Sequence, residues 1–470
     1  MGVGVDAALN LDELIEHGRE LRNKLGPETE IQDEIVTSIY RRAEAIASKV
    51  AAQAGGRGRD WNKTIDDLLT SRLVGFPLML LLLGGILWLT ISGANYPSNA
   101  LAALFFMLED KLTFLFLRWQ TPEWLHGLVV LGTFRCLAWV VSVMLPPMAI
   151  FFPLFTLLED LGYLPRVAFN LDNIFKRCGA HGKQALTMAM GFGCNAAGVM
   201  AARIIDSPRE RMIAILTNNF IPCNGRFPLL ISMAVLFLGA GGLKYGSAIA
   251  SLTVAGMVLL GIGVTFLVSY VLSSTMLKGI SSSFTLELPP YRRPQVLQVL
   301  VRSVLDRTLF VLWRAVKVAA PAGALVWVLA NTNIGGMSII EHLAGYLDPA
   351  GRLIGLDGFI LLAFILGLPA NEIVIPTLLM SYLGAGALLE LESLSAMREL
   401  LLARGWTWLT ALNVMVFSVL HFPCGTTLLT IKHETGGWKW TIIAVLLTTG
   451  TAFLACLLIT QVVQTLGLLF

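Results

Sequence analysis

Apolar residues in this chain gather in long runs instead of alternating along strands. The runs Leu73–Ile91, Leu125–Leu158, Ala248–Leu272, Leu309–Leu329, Phe359–Tyr382, Trp406–Ile431 and Trp440–Leu468 reach, or nearly reach, the roughly 20 helical residues that cross a bilayer. Soluble cores do not need so many runs of that length. No stretch shows the alternation of a membrane β-barrel, so backbone groups must be satisfied inside helices. The pattern predicts an all-α polytopic membrane protein. Composition agrees, with hydrophobic residues at 56% and charged residues at 14%, against about 25% charged in ordinary soluble chains.

Two further apolar stretches are interrupted where a spanning helix should be continuous. "GFGCN" occupies Gly191 to Asn195 and "FIPCNGRFP" occupies Phe220 to Pro228. Both have counterparts later in the chain: Gly367-Leu-Pro-Ala-Asn371 matches the first, and Pro423-Cys424 in "HFPCGTTLLTI" matches Pro222-Cys223. The excess length of the later copy fits an insertion around "LGAGALLELESLSAMRELLLARG". The chain thus reads as two pseudo-symmetric repeats with broken or re-entrant helices. Paired Gly- and Pro-interrupted apolar segments at matching places point to a transporter's binding site. Glycine and proline also merely kink packed membrane helices, but here polar residues accompany the breaks in both halves.

Freed backbone at membrane depth is tolerated where it lines a cavity. Cys194, Asn195, Cys223, Asn224, Asn371, Glu372 and Cys424 would ring that cavity. Thiolates beside amide and carboxylate oxygens suit a borderline divalent transition metal better than calcium or magnesium. A single buried cysteine is usually a small hydrophobe, which is the reading for Cys136, Cys178 and Cys456; three at corresponding breaks are harder to dismiss. Glu372 is an ionisable residue within a span and so a functional candidate, as ligand, proton acceptor or partner of a buried Arg226 or Arg203. His421, just before Pro423-Cys424, is expected to support the site without ligating. Glu159 and Asp160 point about 100° apart on a helix, and with Arg166 and Lys176 they read as a helix-end charge cluster. No CxxC pair occurs among the six cysteines, which argues against a disulfide framework.

The expected organisation is a cytosolic helical appendage at 1–66, a first membrane half at 67–285, a cytosolic connector at 286–307 and a second membrane half at 308–470. Polar residues precede the first apolar run, so no signal peptide is expected. Arg57, Arg59, Lys63 and Arg72 favour a cytosolic N-terminus. The formal charge of +3 is too small to suggest nucleic acid.

The phrases "LLEDLGYLPRVAF", "GFGCN", "RIIDSPRERMIAILTNNFIPCNGRFP", "LELPPYRRP", "LPANEIVIPTL" and "HFPCGTTLLTIKHETGGWKW" together resemble, in order and over roughly 85% of the chain, the membrane portion of the FeoB family of ferrous iron transporters. The resemblance implies a prokaryotic inner-membrane permease with two Gate modules of opposite orientation that moves Fe²⁺ inward, with no permanent cofactor. It carries the family's gate cysteines onto Cys194, Cys223 and Cys424, and its second-half acidic residue onto Glu372. The chain departs from many members at Ala196-Ala197, where Val-Pro is usual, and at "PCNGR", where Ser-Cys-Gly-Ala-Arg is usual. Members usually begin with a GTP-binding domain, whereas nothing here matches GxxxxGK[ST], so no nucleotide-binding residues are expected. Residues 28–66 resemble the helical tail that follows that domain, which implies a separate GTPase partner docking on 1–66 and the cytosolic loops. A homo-oligomer is left open. The rival readings are a permease for another divalent metal or a nucleoside-like solute, and a metal-binding membrane sensor without flux. A membrane enzyme is disfavoured, since no nucleophile-base pair or closed metal site is visible.

Overall fold

The computed structural model describes residues 28–50, 61–71, 73–239, 246–278, 295–389, 391 and 393–467. Most of "GGRGRDWNK" and all of "LELPPYRRP" lie outside them. The first helices are α1 (Glu28–Val50), α2 (Trp61–Leu69) and α3 (Gly75–Arg118). The first half continues with α4 (Glu123–Asp160), α5 (Tyr163–Arg177), α6 (Gln184–Gly193), α7 (Asn195–Ala201), α8 (Pro208–Thr217), α9 (Phe227–Met233) and α10 (Gly246–Ser274). The second half repeats the order as α11 (Val296–Asn331), α12 (Ile339–Leu353), α13 (Gly358–Leu366) and α14 (Val374–Leu383), then α16 (Trp408–Leu420), α17 (Gly425–Thr435) and α18 (Trp438–Thr465). The extra helix, α15 (Leu394–Ala403), falls in the predicted insertion. A two-residue-strand hairpin joins α11 to α12.

Among the described residues seven helices are long and apolar enough to cross a membrane. They differ from the apolar runs in three ways. First, α3 passes through Pro97 and runs for 44 residues, about 66 Å at 1.5 Å per residue, far beyond the apolar run that ends at Ile91. Secondly, Phe359–Tyr382 is no span: Tyr382 Oη at the end of α14 donates to Asp357, the N-cap of α13, at 2.5 Å. The two helices therefore fold back on each other as a re-entrant hairpin. Thirdly, the described part of the expected connector beyond Gln295 is helical and forms the start of α11.

The repeats are inverted. At one face, Arg203 just after α7 meets Glu434 near the end of α17. At the other, Arg398 of α15 donates to Leu236 O beyond α9 (3.1 Å), and Phe237 stacks on Trp406 ahead of α16 at 5.8 Å. The α8–α9 span thus begins on the face where the α16–α17 span ends. Backbone angles repeat too. Cys194 lies at φ −154°, ψ 123° and its counterpart Ala370 at φ −156°, ψ 130°. Cys223 lies at φ −81°, ψ 168° and Cys424 at φ −60°, ψ 158°.

Capping explains the helix starts. Ser207 with Pro208, Asp357 and Thr407 begin α8, α13 and α16, their side chains accepting from backbone N–H groups of the first turn. Ahead of the membrane, α2 docks through Asp66. Its carboxylate accepts from Arg166 Nε (3.0 Å) and Nη2 (3.4 Å), and Asn170 donates to Leu69 O at 2.8 Å. Arg166 is only 1% exposed. Loss of one partner of a fully buried pair costs about 3–5 kcal/mol, and Asp66 is partly solvated, so Asp66→Ala is expected to cost about 2–3 kcal/mol. A matching fall in thermal unfolding temperature, with faster proteolysis at α2, checks this. By contrast α1 leaves Ile35, Ile39 and Ile46 exposed.

Candidate functional site

Proline sets the second pair of breaks. Pro222 and Pro423 lack the N–H that a helix needs and disfavour helical backbone at the preceding residue, so α8 and α16 end and a new helix starts after each cysteine. The first pair is set by a single extended residue, Cys194 or Ala370, between two short helices packed side by side.

Side chains tie the breaks together. The Asn195 amide has one orientation that satisfies its surroundings, donating to Gly191 O at 3.2 Å and Ile221 O at 3.1 Å. It therefore braces the two breaks of the first half against each other. Across the halves, Asn371 Nδ2 lies 3.8 Å from Cys223 Sγ. A Cβ built on Gly225 would sit 2.2 Å from Glu372 Oε1, so only glycine lets the carboxylate lie this close to the backbone beyond Cys223-Asn224. Gly425 N donates to Leu368 O at 2.6 Å, joining the two breaks of the second half. Cys424 Sγ is 3.3 Å from Thr427 Oγ1. Cys194, Cys223 and Cys424 neighbour one another, and Cys223 and Cys424 neighbour both Glu372 and Arg226.

Cys194, Cys223, Asn195 and Asn371 are buried, whereas Asn224, Glu372 and Cys424 keep part of their surface open. Beside Gly193 and Asn224 is a cavity of about 10 Å³, room for about one water. Among the described residues no three His, Cys, Asp or Glu side chains stand close enough to hold one metal ion.

Several residues take other places than the sequence suggested. Arg226 and Arg203 are not partners of Glu372. Fully buried Arg226 donates to carbonyls of both halves, and Arg203 forms a bidentate pair with Glu434 at 2.7 Å. The helix-end cluster also separates: Arg166 pairs with Asp66, Lys176 with Asp172, and Asp160 accepts from Gln295 N at 3.3 Å. Glu159 instead lines a cavity of about 810 Å³ with Lys183, Arg203, Arg314 and Glu434, which reaches inward to Met190 and Ala197. His421 is buried in an aromatic box of Phe364, Phe417 and Phe422, with Nδ1 near the carbonyls of Phe417 and Ser418. Cys136 packs against Gly323, and Cys456 reaches Asn413 O at 3.5 Å. The Arg203 side chain is 60% exposed, and exposed ion pairs contribute about 0–1 kcal/mol. Arg203→Ala is accordingly expected to lower the unfolding temperature by only a few degrees at most, read by a thermal scan.

A polar seam in the first half was not singled out from sequence. Gln184 Nε2 donates to Thr217 Oγ1 at 2.8 Å, and Asn218 Nδ2 to Asn195 O at 3.3 Å. Asn218 is wedged against Gly191 and Gly198. Two consecutive asparagines in an apolar run, "TNNF", were the available signal.

This arrangement can be set beside known proteins. The Gate family, described as nucleoside recognition, matches residues 141–237 and 312–438, one segment in each half. The family described as Ferrous iron transport protein B C terminus matches residues 254–306. The chain therefore carries a Gate segment in each half with a FeoB C-terminal segment between them, and it is similar to proteins named Fe(2+) transporter FeoB. A protein named Fe(2+) transporter FeoB from Methanocaldococcus jannaschii is 28% identical over 96% of the chain and 65% of its own length. One of the same name from Staphylococcus aureus is 28% identical over 86% of the chain and 59% of its own length. An Fe(2+) transport protein A/Fe(2+) transporter FeoB fusion protein from Porphyromonas gingivalis is 27% identical, over 86% and 51% respectively. The chain thus spans between half and two thirds of these FeoB relatives. No solved structure matches it.

Proposed function

We propose that the chain is the membrane permease part of a ferrous iron transporter, moving Fe²⁺ inward across a prokaryotic plasma membrane past Cys194, Cys223 and Cys424. One observation carries the reading: Cys223 of the first half meets Asn371, and Glu372 lies against Gly225, where the breaks of two inverted halves cross. Soft sulfur favours a borderline metal, and amide and carboxylate oxygens complete the donor set. A transported ion must be bound weakly enough to leave, so a few protein ligands at a time, with water, suit the task better than a closed cage. Asn195 holds the first-half breaks in register, while Asn224, Asn371 and Glu372 supply oxygens.

The uncovered apolar residues of α1 support docking of a GTPase partner there. The description of the Gate family as nucleoside recognition favours one second reading, passage of a nucleoside-like solute. Proteoliposomes containing the chain, under anaerobic reducing conditions, decide between the two. Saturable uptake of radiolabelled Fe²⁺, competed by other thiophilic divalent ions and not by uridine, is expected with or without an added GTPase and GTP. Uridine uptake without Fe²⁺ flux would transfer the site to the organic solute. Tight metal binding without flux in either condition would make the chain a sensor.

A further inference from the structure

Where the second pair of breaks crosses, backbone carbonyls of both halves converge on one point. Asn219 O follows α8, Val419 O belongs to the last turn of α16, and His421 O and Phe422 O lie in the break beyond it. All four accept from a single guanidinium: Arg226 Nη1 donates to Asn219 O at 2.9 Å and Val419 O at 2.8 Å, and Nη2 to His421 O at 3.1 Å and Phe422 O at 3.4 Å. Arg226 is 0% exposed, and its Nε finds no hydrogen-bond partner. No carboxylate is among its ion pairs in the described residues.

Carbonyls released by a broken membrane helix form a cation site, because helix C-termini carry partial negative charge and the freed oxygens have lost their helical donors. In broken-helix transporters such oxygens coordinate a small monovalent coupling ion. Here the same kind of oxygens, drawn from both inverted halves, surround a cation that cannot leave. We propose that Arg226 is a tethered cation filling a monovalent-cation site built by the two breaks, so that registration of the halves comes from a side chain and not from a bound alkali ion. Arg226 is then a positioning residue. It holds the segment bearing Cys424 against the segment bearing Cys223, three residues before it in sequence.

Two consequences are specific to this assignment. Wild-type function should not depend on Na⁺ or K⁺, and an Arg226→Ala protein should have an open carbonyl site that a free small cation can enter. The test uses purified full-length chain in lipid nanodiscs and proteoliposomes. Thermal unfolding is followed in choline chloride with added NaCl, low-millimolar guanidinium chloride, or urea at the same concentration as a neutral isostere. Arg226→Ala should unfold at a lower temperature and regain much of the loss, saturably, with guanidinium or Na⁺ but not with urea, while the wild type responds to none of them. Fe²⁺ uptake should fall by at least about tenfold in Arg226→Ala, as expected when buried carbonyls lose their donor, and recover several-fold with guanidinium.

Equal responses of wild type and variant to all three additives would overturn the proposal, as would a saturable Na⁺ requirement for wild-type uptake. If Arg226→Ala does not accumulate, Arg226→Lys and Arg226→Gln decide. The cationic variant should be closer to wild type in unfolding temperature, and the reverse order contradicts the assignment. The uptake arm rests on the permease reading, whereas the unfolding arm does not, so a wild type without Fe²⁺ flux leaves the assignment of Arg226 still tested.

Discussion

Cys223→Ser combined with Cys424→Ser should cut Fe²⁺ uptake at least tenfold while leaving the unfolding temperature within a few degrees of wild type. Serine keeps the shape of cysteine and exchanges soft sulfur for a hard oxygen, so the change acts on metal bonding more than on packing. Even outer partners of metal ligands typically cost about 10–100-fold when removed, and direct ligands should cost no less. At Cys424 the serine hydroxyl can keep the contact to Thr427 Oγ1, which limits the structural penalty there. Cys136→Ser is the control. That thiol packs against Gly323 away from the breaks, so uptake per folded molecule should not change.

Gly198→Ala is expected to produce the largest loss of stability. A Cβ there would lie 2.4 Å from Asn218 Nδ2 and 2.7 Å from the backbone oxygen of Thr187. The side chain could swing away, but the carbonyl belongs to α6 and cannot retreat without opening the α6–α7 hairpin. Overpacking against backbone costs about 1–3 kcal/mol and sometimes more, and displacing the Asn218 amide from Asn195 O removes a buried hydrogen bond worth roughly 1 kcal/mol. The expected sum is about 2–4 kcal/mol, seen as a sharp fall in unfolding temperature and in yield from the membrane. Gly256→Ala in α10 meets nothing within 4 Å. It should be neutral or stabilising by about 0.5–1 kcal/mol, so the comparison separates close packing from helix propensity.

The positions of the breaks were legible in the sequence because their causes are local. Proline at 222 and 423, and the extended residues 194, just after Gly193, and 370, just after Pro369, stop a helix whatever surrounds them. The repeat was legible for the same reason, since Asn195 and Asn371 sit one residue beyond equivalent extended residues. What a run of apolar residues does not encode is direction. Phe359–Tyr382 has the composition of a span, and the break ending at Ala370 lets it fold back so that Tyr382 pairs with Asp357.

Partners were the least legible part, because they are set by tertiary packing across long separations. Asp66 and Arg166 are 100 residues apart, Arg226 and Val419 are 193, and Arg203 and Glu434 are 231. A buried arginine near an intramembrane glutamate suggests an ion pair, yet the carbonyls of two helix ends hold Arg226 instead. Glu372 is thereby left facing the glycine backbone beside the first-half break.

The central claim is that sulfur from both halves bonds the ion in transit. The most direct test is X-ray absorption at the iron edge on anaerobic protein loaded with Fe²⁺, for wild type and for the two single serine variants. Sulfur neighbours at roughly 2.3 Å, the length of a zinc–thiolate bond, are predicted in the wild type, with their number reduced in Cys223→Ser and again in Cys424→Ser. An iron shell of oxygen and nitrogen alone, unchanged by either substitution in folded protein, would contradict it.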